Sequence, residues 1–388
     1  MTSTRRDSDS GLAIPGPRSF VFSLGFVSTY GLPALLVLLI LFFSFLLPDT
    51  FPTVLNAKSI LSDKSTVALL ALGAMLPMAT NNWDLSVAYV LCLGHCLAIG
   101  LQVNSNIPWP VVCVLVVVMG GFVGLVNGLL VTRARIDSFI ATLGTGTILL
   151  GIAAWYTGGA QLVGVLPDSF IAIAAADPLG IPAPVIYVIA IAAVLWILLE
   201  YTAIGRYFYV LGSSPRAAEL VGISQRRYVT LAFIGSGAVA GIAAVVFASR
   251  LHVGQSNVGP EFLLPAFTGA MLGSTSVHPG RVNVPGTIIA VLVLAVAVAG
   301  LQQLGASYFV EPLFNGTMLV AAVGLAGFAA RRAVTSRMLA ERAARAQAGA
   351  ASGTSGGSSI AGSSAEKPPD VTAAEGSAGP FPPASPEA

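Results

Sequence analysis

Apolar residues in this chain come in unbroken runs of 13 to 23, separated by short breaks rich in Gly, Pro, Asn or charge. Alternation with a period of two is absent, and few runs show a polar face at helical spacing. About 20 apolar residues in a helix cross the hydrocarbon core of a bilayer. Ten spans follow, at roughly 31–48, 66–80, 87–103, 109–131, 139–157, 185–202, 229–249, 263–275, 284–304 and 313–330. The second and eighth are short and flanked by Gly, Pro and Asn. That is the pattern of broken or re-entrant helices, which need protein neighbours rather than lipid. The fold expected is an all-α integral membrane protein of about ten transmembrane helices, some short or broken.

Composition agrees. Of 388 residues, 55% are hydrophobic and 9% charged, against roughly 25% charged in soluble domains. The net charge of +2 gives nucleic acid no purchase. Cys92, Cys96 and Cys113 all lie in apolar runs, so a disulfide framework is not expected. Cys92, His95 and Cys96 lack a fourth metal ligand nearby and read as helix packing. The N-terminal 20 residues are too long and polar for a cleavable signal, so the first span reads as a retained anchor.

Charge sets the direction. With the N-terminus inside, Arg5, Arg6, Arg18, Arg133, Arg135, Arg206, Arg216, Arg226, Arg227, Arg281 and the basic residues from Arg331 onward are cytoplasmic. Only Lys58, Lys64 and Arg250 fall outside, and ten spans return the C-terminus to the cytoplasm. Three segments follow: a cytoplasmic stretch 1–30, a membrane domain 31–330, and a region 331–388 that starts as a basic helix. After about Ala346 it becomes Ala, Gly, Ser, Pro and Glu, a composition expected to be disordered. "GLLVTRARIDSFIATLGTGT" from Gly128 and "GLQQLGASYFVEPLFNGTM" from Gly300 echo each other five spans apart and on opposite sides. An inverted repeat produces such an echo, though two apolar hairpins also resemble each other by chance.

One polar island interrupts the apolar sequence, at 205–228. Ser213 or Ser214 can cap a helix there, Pro215 suits its first turn and Gly222 can end it. The short helix "PRAAELVG" either lies in the lipid interface or docks into another protein.

"GRYFYVLGSSPRAAELVGIS", Gly205–Ser224, resembles the cytoplasmic coupling loop of the permease subunits of ribose-type sugar ABC importers. "NGLLVTRARIDSFIATLGTGTILLGIAAWYTGG" from Asn127, "MLGSTS" from Met271 with "GRVNVPGTIIAVLVL" from Gly280, and "WDLSVAYV" from Trp83 resemble further motifs of that family, in order, across roughly 31–330. The resemblance implies a multi-pass protein of the bacterial plasma membrane. Its implied partners are a cytoplasmic ABC ATPase, an extracytoplasmic sugar-binding protein and a second permease copy or homologue. It implies that the chain binds no cofactor and that ATP sits on the partner; no GxxxxGK[ST] loop occurs in the sequence. The coupling residues it implies are Ser214, Pro215, Arg216, Ala217, Ala218, Glu219, Leu220 and Gly222.

Polar residues at the spans are the candidates for meeting cargo. Asn81, Asn82, Trp83, Asp84 and Ser86 combine amides, a carboxylate and a flat indole, the groups that recognise a sugar. Alternatively they cap and fasten a helix break. Thr142, Thr145 and Thr147, and Gln302, Gln303 and Asn315, are further candidates, with helix back-bonding as the competing role for the threonines. Gln255 and Glu261 either face a solute-binding protein or water. The chain departs from the family where Asn81-Asn82-Trp83 replaces Gly-Gly-Ile, where "RIDSF" replaces a Pro-containing turn, and in "GSTSVHPGRVNVPGT". An ion-coupled secondary transporter using Asp84 and Glu311 is the alternative reading.

Overall fold

The structure, a computed structural model, describes residues 24–324, with side chains from 29 onward. The basic stretch and tail expected at 331–388, and most of segment 1–30, lie outside the described residues. Among the described residues the chain is helical apart from an isolated bridge between Leu162 and Gly254. The helices are α1 (Leu24–Leu46), α2 (Val54–Ala79), α3 (Val87–Val103), α4 (Trp109–Thr132), α5 (Ser138–Thr157), α6 (Asp168–Ala175) and α7 (Ala183–Tyr201). They continue with α8 (Ala203–Ser213), α9 (Pro215–Leu220), α10 (Gln225–Leu251), α11 (Pro260–Gly273), α12 (Val284–Gln303) and α13 (Val310–Gly324). Every expected span coincides with one of these helices, and seven are both long and apolar enough to cross a membrane.

The expected short second span is corrected. α2 has 26 residues, a length of about 39 Å at 1.5 Å per residue, beyond the ~30 Å hydrocarbon core. Thr53 caps its start, its hydroxyl accepting from Asn56 N at 3.2 Å. The first turns carry Asn56, Lys58, Asp63 and Lys64, which hydropathy excludes from a span. Each is satisfied by a neighbour: Asn56 by the Phe51 carbonyl, Lys58 by Asp177, Asp63 by Arg250 and Lys64 by Glu311. α11, the eighth span, is short as expected, at 14 residues. Its flanking segments pack on protein, which is what a sub-length helix requires.

α2 and α10 form the centre. Residues 65–77 of α2 are buried without exception, and most of α10 is buried too. α4 crosses α10 closely because Gly120 and Gly124 bring backbone to backbone; a Cβ on either would collide with the carbonyl of Gly237 or Phe233. Small residues at such spacing are the usual device for close helix approach in bilayers, where lipid is as apolar as Leu.

The helices alternate in direction, and contacts mark the two ends. At one end, the island end, Gly212 of α8 packs on the Ala79 carbonyl at the close of α2, and Thr29 O near the start of α1 accepts from Val277 N at 3.2 Å. At the far end, Glu311 at the start of α13 meets Lys64, and Arg250 at the end of α10 meets Asp63. Long α2 is followed by a break at 80–86 on the island end. Long α10 is followed by one at 252–259 on the far end. The order long helix, break, short helix thus occurs twice with opposite sense.

Candidate functional site: the island end and its cavity

The island folds as the sequence anticipates, with one addition. Pro215–Leu220 forms α9, Ser214 is its cap with Oγ accepting from Ala217 N at 3.4 Å, and Gly222 at φ +80° closes it. The addition is α8, an 11-residue helix whose N-cap, Thr202, directly follows α7. Ser214 ends α8 and starts α9, so the two form one elbow. Ala218 is fully buried, while Arg216, Ala217 and Glu219 are exposed. Leu220 and Val221 are 89% and 72% exposed. Two aliphatic side chains held open beside charged residues form a compact surface patch.

The candidate cargo residues divide into groups. Asp84, Ser86 and Thr142 are buried. Asp84 Oδ1 accepts from Ser86 N at 3.1 Å and from the Ser86 hydroxyl at 2.5 Å. Oδ2 has no hydrogen bond of good geometry, and the Ser236 hydroxyl of α10 is the group beside it. Asn127 Nδ2 of α4 donates to Ser86 Oγ at 2.8 Å, and its Oδ1 accepts from Thr145 Oγ1 at 2.7 Å. Thr142 Oγ1 accepts from Leu85 N at 3.0 Å, and Ser138 Oγ accepts from Trp83 N at 3.1 Å. The polar groups around Asp84 therefore tie the 80–86 break to α4 and α5 and set it beside Ser236 of α10. Asn127, Ser138 and Ser236 were not anticipated: Asn127 and Ser236 sit within apolar helix patterns, Ser138 at the first turn of α5, and all three are far along the chain from Asp84.

Asn81, Asn82 and Trp83 face a different environment. With Met78, Tyr209 and Arg281 they line a cavity of about 550 Å³ at the island end, within the roughly 300–1,000 Å³ of small-molecule sites. The Trp83 indole stacks on Phe267 of α11, centroids 5.8 Å apart and 14° from parallel. Asn81 takes φ +58°, a conformation Asn tolerates well, and turns the chain into the cavity wall. Asn82 Nδ2 donates to the Thr80 carbonyl at 2.9 Å.

Tyr209 and Arg281 line this cavity from α8 and from the 274–283 connection. Arg281 Nη2 donates to both Glu200 carboxylate oxygens, at 2.8 and 3.0 Å, and the guanidinium lies 4.6 Å from the Tyr209 ring centroid. The Tyr209 hydroxyl donates to Val282 O at 3.0 Å. Burial pushes the Tyr209 phenol up to about 12, opposed by Arg281 and reinforced by Glu200.

Gln302 is remote from this cavity. It lines a second one of about 760 Å³ at the far end, with Gln303, Gln255, Glu261, Lys64 and Glu311 among its walls. Gln302 Nε2 donates to Glu311 Oε2 at 3.1 Å, and Gln303 Nε2 to Asn56 Oδ1 at 2.6 Å. Asn315 is buried, its carbonyl facing Thr268 Oγ1 at 3.4 Å. Asp84 and Glu311 thus occupy opposite ends, and the Lys64 ammonium, 2.6 Å away, neutralises Glu311. They do not form one ion site. His95 and Cys92 pin the 252–259 break: His95 Nε2 accepts from Gln255 N at 3.1 Å, and Cys92 Sγ donates to Ser256 O at 3.2 Å, while Cys96 Sγ lies 3.8 Å from His95 Nε2.

A multi-pass helical protein with a break-and-cavity at each end and an exposed elbow at one is a membrane transport component. The chain belongs to the family described as branched-chain amino acid transport system / permease component, whose model matches residues 56–323. The ribose import permease protein RbsC of Bacillus subtilis is 32% identical over 74% of this chain and 89% of its own length. The D-allose transport system permease protein AlsC of Escherichia coli is 30% identical over 79% of this chain and 94% of its own. The autoinducer 2 import system permease protein LsrD of Escherichia coli is 29% identical over 70% and 84%. No solved structure matches the chain.

Proposed function

We propose that this chain is the membrane subunit of an ATP-driven ABC importer for a monosaccharide or a related polyol. The observation that carries this is the near full-length likeness to permeases named for ribose and D-allose import. In this reading the island end faces the bacterial cytoplasm with both termini. α9 docks through Arg216, Glu219, Leu220 and Val221 into a separate ATPase subunit, which hydrolyses the ATP. A sugar-binding protein delivers cargo to the far end, and a second permease copy or homologue completes the assembly.

Asn81, Asn82 and Trp83 meet the cargo at the inner side, and Gln302 lies on the outer approach. Amide groups pair with hydroxyls, and the indole takes the C–H face of the ring. Asp84, Ser86, Thr142 and Asn315 act as scaffold. The exposed aliphatic pair on α9 supports the docking role, since a surface held open to water gains most when a partner covers it.

The test is uptake of labelled ribose and D-allose by cells that express the chain with its genomic ATPase and binding protein. Competition by unlabelled monosaccharide, no competition by leucine, and loss of uptake on deleting the ATPase are expected. Uptake that persists without the ATPase and collapses with a protonophore overturns the reading.

A further inference from the structure

Carboxylates are distributed unevenly among the cations of this chain. Lys64 and Arg250 line the far-end cavity and Arg281 the island-end one, and each is paired, with Glu311, Asp63 and Glu200 respectively. Of the four ion pairs among the described residues, only Lys58–Asp177 lies outside both walls. Arg133, Arg135, Arg206, Arg216 and Arg226 are exposed and, among the described residues, make no ion pair. Partly exposed ion pairs contribute little to stability, so stability does not account for where these pairs stand.

The island-end cavity shows the effect most clearly. It is open to the surface past Asn81, Val210, Ser213 and Gly280, all exposed. Among the described residues that line it, Arg281 alone carries a charged group. Glu200 lies outside the wall, near the end of α7, and both its oxygens accept from Arg281 Nη2, at 2.8 and 3.0 Å. The pair cancels the charge of the guanidinium yet occupies only one of its nitrogens. Nε and Nη1 donate to no protein group among the described residues. They remain donors for a hydroxyl. A carboxylate arriving there would have to share the guanidinium with Glu200, and an ammonium would meet no opposite charge in the wall.

We propose that Glu200 sets the island-end cavity to take uncharged polyols and to pass over acids and zwitterions, by cancelling the charge of Arg281 while leaving its N–H donors to the solute. Arg281 is then a contact for cargo hydroxyls beside Asn81, Asn82 and Trp83. Glu200 is a positioning residue that acts through Arg281 and touches no solute. The proposal rests on the reading of this cavity as a place where cargo is met.

Two measurements separate the charge effect from that reading. The first needs neither a partner nor an identified solute. With Trp109, Trp155 and Trp196 replaced by Phe, Trp83 alone reports on the cavity. Its quenching by iodide, an anion, is compared with quenching by neutral acrylamide at constant ionic strength. A unit charge 4 Å away changes local ion concentration about fivefold even in water, and salt reduces this. Glu200→Gln should therefore raise iodide quenching about twofold to fivefold and leave acrylamide quenching unchanged. Glu200→Asp, which keeps the charge, should match wild type, and adding Arg281→Gln to Glu200→Gln should return iodide quenching to the wild-type level. No rise for iodide, or equal rises for both quenchers, overturns the proposal. The second measurement titrates the same single-Trp protein, in complex with its ATPase, with D-ribose, D-allose and D-glucuronate. The protein with Glu200 intact should respond to the neutral sugars and not to D-glucuronate, and Glu200→Gln should gain a D-glucuronate response. D-glucuronate binding as tight as that of the neutral sugars with Glu200 intact, or no gain in Glu200→Gln, overturns the selectivity. The expected iodide result with no response to any sugar keeps Glu200 as the neutralising group and overturns the cavity as a place where cargo is met.

Discussion

Replacing Asp84 separates a structural role from a cargo-binding one, because the two roles predict different outcomes for Asp84→Ala and Asp84→Asn. Asp84→Ala removes the acceptor of the Ser86 N–H and of the Ser86 hydroxyl, both buried. Each orphaned donor costs about 1–3 kcal/mol. Polar contacts between membrane helices often contribute less, nearer 0.6 kcal/mol on average, but the Ser86 N–H and hydroxyl both lie in a buried site and both take Asp84 Oδ1 as acceptor. A total of roughly 2–5 kcal/mol follows, equivalent to a fall in melting temperature on the order of 5–15 °C. Asp84→Asn keeps an acceptor for Ser86 and places an amide beside the Ser236 hydroxyl. It should change stability by less than about 1 kcal/mol. The assay is thermal melting of purified protein by fluorescence-detected gel filtration, paired with uptake per inserted molecule. Asp84→Ala should melt early and be scarce in the membrane. Asp84→Asn should match wild type in melting temperature and in the KM for solute. An Asp84→Asn variant that melts normally yet has a tenfold higher KM would refute the fastener argument and place the carboxylate on the path.

Leu220→Glu, at a position 89% exposed, should leave melting unchanged and abolish co-purification with the ATPase; retained co-purification would remove α9 from the interface. Gly124→Leu should eliminate folded protein, because the side chain enters the backbone of α10 at Phe233; normal yield would contradict the α4–α10 packing. Trp83→Ala should change the ratio of ribose to D-allose uptake at near-normal abundance, and an unchanged ratio would take Trp83 off the path. The Tyr209 phenol, raised to about 12, is neutral throughout the physiological range. Its contribution to stability is complete below about pH 10, the ordinary tyrosine value, and declines as pH rises through 12. In ultraviolet titration Arg281→Ala should shift the late-titrating end of the phenol curve further up; absence of any shift would contradict the contact.

The sequence reveals this fold well because bilayer crossing demands apolar runs, and each run became a helix. It fails where polarity and burial separate. The first turns of α2 are polar because they leave the hydrocarbon and pair with Asp177, Arg250 and Glu311, residues more than 110 positions away. No local average contains that information. α9 was legible from Ser214, Pro215 and Gly222, since capping is local chemistry. Ala218 reads from sequence as part of the docking face, but it is fully buried, and the open face is formed by its neighbours. The cluster 81–86 reads as one site, yet the chain turns after Trp83, so its first half lines a cavity and its second half fastens the break. Arg281 and Tyr209 were absent from the candidates because 72 positions separate them, and only the closed fold brings them to 4.6 Å.

Coupling to a cytoplasmic ATPase requires that the α8–α9 elbow face the cytoplasm. A cysteine at Glu219, exposed on α9, can be labelled by a membrane-impermeant maleimide, whereas Cys92 and Cys96 are buried and Cys113 is partly buried. In intact cells Glu219→Cys should stay unlabelled, and it should react fully once the membrane is permeabilised. Full labelling from outside intact cells would put the elbow beyond the reach of any cytoplasmic ATPase and contradict the mechanism.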